Sequence, residues 1–216
     1  MSAHIDHFMY AVPDMDQGIA WAADLFGVEP AYGGEHVGVG TRNALLSLGD
    51  TYLEIIAPDP QQSLSGNMGE KFAALSTGGL ITWAVQGELA SIARTLNQGG
   101  VKTRGPKRTE RKTTDGTLLV WELLFPIDSR FGGRMPFFID WLACEHPSKT
   151  NPVAGELAGL SITSPQAEAL NTLFKSIGLE QSVEAGEASH LSVQIQTPGG
   201  ALELTSTDET RLISMG

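Results

Sequence analysis

Residues 5–27 read IDHFMYAVPDMDQGIAWAADLFG, and the period of their pattern changes once. Over 5–12 the chain alternates: Ile5, His7, Met9 and Ala11 share one face, and Asp6, Phe8, Tyr10 and Val12 the other, which is the signature of a strand. Pro13-Asp14 ends it. Asp14 suits a helix N-cap and Asp16 the first turn, where acidic groups complement the helix dipole. Ile19, Ala22, Ala23 and Phe26 then recur at helical spacing, and Gly27 supplies the stop. Downstream, 43–48 and 51–57 read as strands joined by Gly49-Asp50, a hairpin signal. Pro58-Asp59-Pro60 closes this unit, and 61–67 reads as an exposed loop.

The same order returns. Residues 80–86 predict a strand and 88–98 a helix carrying Leu89, Ile92, Ala93 and Leu96 on one face, ended by Gly99-Gly100. Placing Ala11-Val12 on Ala84-Val85 brings Gly27-Val28 onto Gly100-Val101 without a gap, an offset of 73 at both points. Strands are expected at 117–124 and 136–142. A third copy is expected from a strand at 157–163, a helix at 165–176 ended by Gly178, and strands at 191–197 and 201–205 around Pro198-Gly199-Gly200. Self-similarity of this kind fixes architecture more firmly than any single motif. The fold class is α+β: repeated βαβββ modules over 4–60, 78–145 and 155–207, within one domain spanning 1–216.

Composition narrows the function classes. With 41% hydrophobic and 18% charged residues the chain folds, and 25 glycines with 11 prolines suit a sheet-rich protein with many turns. A formal net charge of -11 repels phosphate backbones and argues against nucleic-acid partners. One cysteine, Cys144, excludes an intrachain disulfide framework and a thiolate zinc cage. No apolar run approaches the ~18 residues of a membrane span. The opening MSAHIDH lacks the basic start and apolar core of a secretory signal. The expectation is a cytoplasmic protein with no membrane partner, for which a homodimer is left open.

The stretch already quoted, followed by GTRNALLSLGDTYLEIIAPDP (40–60), resembles the glyoxalase-like branch of the vicinal oxygen chelate superfamily. TTDGTLLVWELLFP and MPFFIDW look like its continuation, so the resemblance covers about 4–145 and the third copy only weakly. It implies paired βαβββ modules whose mixed sheets curl around a cavity, with helices outside and a small-molecule ligand or substrate within. Members of this superfamily often hold a divalent metal that chelates two adjacent substrate oxygens. They include lyases, isomerases, ring-cleaving dioxygenases and antibiotic-binding proteins, so the fold alone does not name a reaction. Two functions follow from the resemblance. One is a glyoxalase-like enzyme acting on a small oxygen-rich metabolite through a divalent metal. The other is a metal-free protein that sequesters a small molecule.

The resemblance also assigns residues. His7 falls at the first-strand ligand position and Glu54 at the last-strand carboxylate, a nitrogen–oxygen pair suited to iron, manganese, nickel or zinc. The repeat puts Leu80 and Ala158 where further imidazoles would stand, whereas Asp140 and Glu203 repeat the carboxylate. His7 and Glu54 are therefore the expected metal ligands. Glu54 and Asp140 are the expected catalytic carboxylates, with Asp140 or Glu203 completing the site or acting as base. GGEHVGVGTRN (33–43) resembles a stretch common in this branch, which makes His36, Thr41 and Asn43 expected substrate-binding residues. The basic run Lys102, Arg104, Lys107, Arg108, Arg111 and Lys112 reads first as a solvated loop tip and second as a field that draws an anionic substrate. Trp83, Trp121 and Trp141 read as core, and Cys144 and His146 stand too close in sequence to form a nucleophile–base pair.

Overall fold

The computed structural model describes residues 3–112 and 116–213. β1 (His4–Ala11) passes directly into α1 (Met15–Phe26). Asp14 caps the helix through Oδ1, which accepts the Gln17 amide at 2.9 Å. Gly27 ends it at φ +71, the left-handed backbone that glycine adopts without a Cβ clash. β2 (Ala31–His36), β3 (Thr41–Leu48) and β4 (Thr51–Pro58) complete the first module. After the short α2 (Met68–Ala73), the second module runs through β5 (Gly79–Gln86), α3 (Leu89–Gln98), β6 (Lys102–Lys112), β7 (Leu118–Ile127) and β8 (Phe137–Asp140).

These strands form one eight-stranded sheet in the order β2-β3-β4-β1-β5-β8-β7-β6. In each module the first strand lies parallel to the last, β1 to β4 and β5 to β8, with the helix making the crossover. β1 and β5 pair antiparallel at the centre, so the two halves are related by an approximate two-fold rotation.

Two strands lie outside those expected from the sequence. Residues 31–36 form β2, and the basic run 102–112 is not a loop tip but β6, paired along its length with the apolar β7. Alternation of apolar and polar residues is absent from β6 because it is a sheet edge. There, cationic side chains can lie over the sheet and deter edge-to-edge pairing.

The third segment contains β9 (Glu156–Ser164), α4 (Ala167–Ser176), β10 (Glu184–Ala185), β11 (His190–Thr197) and β12 (Gly200–Thr205). Its element order is the expected one, but its sheet order is β10-β9-β11-β12, with β9 antiparallel to β11 rather than parallel to a last strand. It is therefore not a topological copy of the first two modules.

The sheet has two dissimilar faces. On the convex side Phe8, Leu53, Ile55, Trp83, Val85 and Phe138 belong to a core continuous with α1, α3, α4 and the inner face of the second sheet. Trp83 meets Phe174 of α4 edge-on at 5.7 Å. On the concave side a smaller apolar set includes Met9, Leu45, Ile81, Phe137 and Trp141, with Phe72, Leu75 and Ile213 packed onto it. The sheet is a curled half-barrel with helices outside. Among the described residues no helix is long and apolar enough to cross a membrane.

Candidate functional site

The site begins with an irregularity in β1. Its register against β5 shifts between Ile5 and His7, leaving Asp6 as the extra residue of a bulge. Strict alternation would send Asp6 to the convex face with Phe8. The bulge re-aims it, as bulges do beside functional sites. His7 Nδ1 and Asp6 Oδ1 lie 2.6 Å apart. Asp6 Oδ2 accepts the indole N–H of Trp141 at 3.0 Å and meets His146 Nε2 at 3.1 Å. The His7 ring stacks on Tyr52 at 4.4 Å and meets the edge of Phe137 at 5.4 Å. Its Nε2 lies 3.4 Å from Glu54 Oε2.

Glu54 extends the network toward the mouth of the curl. Its Oε1 accepts the Asn43 amide at 2.7 Å and lies 3.6 Å from His36 Nε2. His36 Nδ1 is 2.9 Å from the Thr41 hydroxyl, and Asn43 Nδ2 is 3.3 Å from His36 Nε2. Arg111 then donates from Nη1 to Asn43 Oδ1 at 3.3 Å. Arg111 belongs to the edge strand β6, and Asn43 stands beside the opposite edge, so this contact closes the curl. Gly34, at φ +137, permits it: a Cβ there would lie 2.9 Å from Arg111 Cδ.

Burial alone would lower the pKa of His7, but hydrogen bonds to Asp6 and Glu54 outweigh it and raise the imidazole to about 9. Burial alone would raise Glu54, but the His7 hydrogen bond, the charges of His36 and His7, and the Asn43 amide bring it down to about 2. Asp6 is likewise held well below the usual carboxylate range, where burial is overcome by His146 and His7. The floor is thus an imidazolium between two carboxylates. His36 behaves oppositely. Burial holds it below its ordinary value, opposed by Glu54 and reinforced by Arg111 and His7, so its partly exposed ring is neutral at pH 7. Around this floor stand Trp121, Leu123 and Phe125 of β7, half-buried, with the Arg104 guanidinium 5.3 Å from the centre of the Phe125 ring.

The expected residues His7, His36, Thr41, Asn43 and Glu54 come together. Asp140 does not join them. It pairs with Glu122 while its neighbour Ile139, paired with Leu123, faces the concave cluster, so Asp140 points to the opposite face and accepts the Leu142 amide at 2.8 Å. Glu203 lies in the separate second sheet, hydrogen-bonded to Ser192 and Gln194. Sequence reasoning missed Asp6, Tyr52 and His146, and it named Arg111 only as one member of a basic run. Reading 102–112 as a strand would have given Arg111 the inward parity. A bulge leaves no sequence signal for Asp6, and no spacing links it to His146.

The residues present do not fit the superfamily's metal centre. His7 and Glu54 supply two donors, and the second module faces them with Thr82, Ala84, Phe137 and Ile139. Among the described residues no group of three or more His, Cys, Asp or Glu side chains is placed to hold a metal ion. His7 Nε2 lies 3.4 Å from Glu54 Oε2. A separate open groove of about 470 Å³, lined by Ala167, Asn171, Lys175, Val183 and Ala185 among others, lies by α4 in the third segment and contains no comparable cluster.

A family model described as a glyoxalase-like domain matches residues 5–178. Among curated proteins no relative matches. A crystal structure of a hypothetical protein from Staphylococcus aureus superposes with a TM-score of 0.67 at 17% identity, covering 87% of this chain and 88% of that one. Methylmalonyl-CoA epimerase in complex with methylmalonyl-CoA and NH4+ superposes at 0.50 with 19% identity, covering 68% of this chain and 100% of that one. Both likenesses concern the fold.

Proposed function

The chain belongs to the glyoxalase-like domain family, and we propose that its concave face is the site of a proton-transfer enzyme acting on a small, oxygen-rich, enolisable carbonyl compound. The observation that carries this reading is the convergence of His7, His36, Thr41, Asn43 and Glu54 with Arg111 on one spot. Asn43 to Glu54 is 2.7 Å, His36 to Glu54 3.6 Å and Arg111 to Asn43 3.3 Å.

His36 is the base. Its neutral imidazole stands at the partly exposed side of the network, where a substrate C–H can reach it. Removing the proton α to a carbonyl leaves an enolate, whose negative oxygen needs preorganised donors. Arg111 and the Asn43 amide supply them, while the His7 imidazolium offsets the charge of Glu54 beneath. Return of the proton from His36 to the neighbouring atom completes an isomerase-type cycle without an external reactant. Trp121 and Phe125 receive the apolar part of the substrate. Metal chemistry is not assigned, because the donor set does not fit it.

One observation favours a second reading. Glu54 is ionised, buried and held between Asn43 and His7, which suits a rigid binding floor as well as a catalytic one. On that reading the protein holds the same class of ligand without turning it over. Both readings are tested with a panel of β-keto acids, hydroxy acids and 1,3-dicarbonyls, scored by thermal shift in the presence of a chelator. Binding by wild type that weakens at least ten-fold in Arg111→Met and His36→Gln supports the site. Binding that needs an added divalent metal, or that both substitutions leave intact, contradicts it.

A further inference from the structure

Two arginines meet at the start of β5, in a place the concave site does not use. The register of β5 against β1 slips between Met9 and Tyr10, so Ile81 is an extra residue whose carbonyl leaves the ladder. Arg134, in the turn Gly132–Arg134, donates to that carbonyl from Nη2 at 3.2 Å. The turn is fixed on the strand from both sides. Trp83 donates its indole N–H to the Arg134 carbonyl at 3.0 Å, and a Cβ on Gly133 would lie 1.8 Å from the Ile81 oxygen.

Arg134 is 0% exposed. Its Nε and Nη1 have no hydrogen-bond partner, nor has the buried Nε of Arg211 in the turn Thr210–Leu212 packed against it. Among the described residues no carboxylate pairs with Arg134. Among the described residues Arg211 has one ion-pair partner, Asp208, at 3.2 Å, and that side chain is almost fully exposed. Burial and the charge of Arg211 together bring the Arg134 guanidinium down to about 10. At neutral pH it is still charged, so the protein buries a cation beside a second cation with three N–H groups unused. Breaking or omitting the partner of a buried ion costs several kcal/mol. A guanidinium cannot avoid that cost by deprotonating in the ordinary pH range. An oxyanion is the group that meets it, since its oxygens match the planar fork of N–H donors.

We propose that Arg134 and Arg211 form a binding site for a small oxyanion of the phosphate or carboxylate class, separate from the His7–Glu54 floor. The anion enters from the side of Arg211, whose side chain is 34% exposed.

The test uses the full chain in anion-poor buffer at constant ionic strength set with chloride. Inorganic phosphate, phenyl phosphate and acetate are titrated against Tm and in a calorimeter. The expected result is a saturable rise in Tm of several degrees with at least one of them, weakened at least ten-fold in Arg211→Gln. Arg134→Met removes a fully buried side chain and threatens the fold itself, so the decisive variant is Arg211→Gln, where a second readout is available. With the repelling charge removed, its Tm in anion-free buffer should equal or exceed that of wild type. Equal affinity for inorganic and phenyl phosphate marks a free ion as the ligand, and tighter phenyl phosphate marks the anionic end of a larger molecule. Absence of any anion-dependent shift, a shift undiminished in Arg211→Gln, or a lowered Tm for that variant without anion overturns the proposal.

Discussion

His7 Nε2 lies 3.4 Å from Glu54 Oε2 while its Nδ1 lies 2.6 Å from Asp6 Oδ1, so one buried imidazole is shared by two carboxylates from adjacent strands. The bulge at Asp6 makes this arrangement. Without it, Asp6 would face the convex core and His7 would have Glu54 alone. The charge pattern that results runs from a fixed ion cluster at the floor to a neutral His36 and a cationic Arg111 at the mouth.

The first prediction concerns pH. The folded pKa of His7 is raised from 6.5 to about 9, so its stabilisation is complete below 6.5 and fades as pH rises through 9. Glu54 is lowered from 4.5 to about 2, so its contribution is present above 4.5 and fades as pH falls through 2. Stability should therefore be greatest between these limits, with His7 contributing on the order of 3 kcal/mol. Urea unfolding at pH 5.5, 7.5 and 9.5 checks it. The stability difference between wild type and His7→Asn should shrink as pH rises, and a difference that grows would contradict the assignment.

Glu54→Gln keeps the shape of the floor but removes one of the two charges facing His7. At pH 6 it should cost about 2–4 kcal/mol, the range for leaving a buried ion partly unpaired. The His7 pKa, followed by side-chain NMR, should fall below 9. A variant as stable as wild type with an unmoved His7 titration would show that the two do not interact.

Two glycine substitutions should differ in rank. Gly133→Ala drives a Cβ into the Ile81 carbonyl, so backbone must move, and a loss above about 3 kcal/mol is expected. Gly27→Ala meets nothing within 4 Å and carries only the left-handed backbone at φ +71, for about 1 kcal/mol. Denaturant midpoints in the reverse order would refute the packing described for the Gly132–Arg134 turn.

Asp140→Asn is the control for the site. Its side chain lies on the face opposite His7 and accepts the Leu142 amide. Ligand affinity should be unchanged within error and stability should shift by less than about 1 kcal/mol. If calorimetry shows this variant losing affinity as Arg111→Met does, Asp140 has been placed on the wrong face.

Much of this was legible in the sequence where physics is local. Asp14 and Gly27 bracket α1 because an oxygen acceptor and a Cβ-free residue are needed at those ends, whatever surrounds them. The parity of His7, Asn43 and Glu54 put them on one face because strands alternate. What stayed hidden depends on partners distant in the chain. β6 has no apolar rhythm, and its strand character comes from pairing with β7. Asp6 turns inward through a register slip against β5, and His146 reaches it across the sheet. Asp140 misled because the last strand of the second module carries a carboxylate, as β4 does, while the pairing of β7 with β8 set its face. The third segment kept the order of elements but not of strands, which only long-range pairing decides.

The central claim is that His36 moves a proton on a ligand held by Arg111 and Asn43. It is tested most directly by following deuterium from solvent into the α position of a bound β-keto acid or 1,3-dicarbonyl, by proton NMR with a chelator present. The account predicts exchange by wild type well above the solution rate, rising with pH as His36 loses its proton. The same rate, measured at saturating ligand, should fall at least 100-fold in His36→Gln. Exchange that is undiminished in His36→Gln, or that appears only when a divalent metal is added, would contradict it.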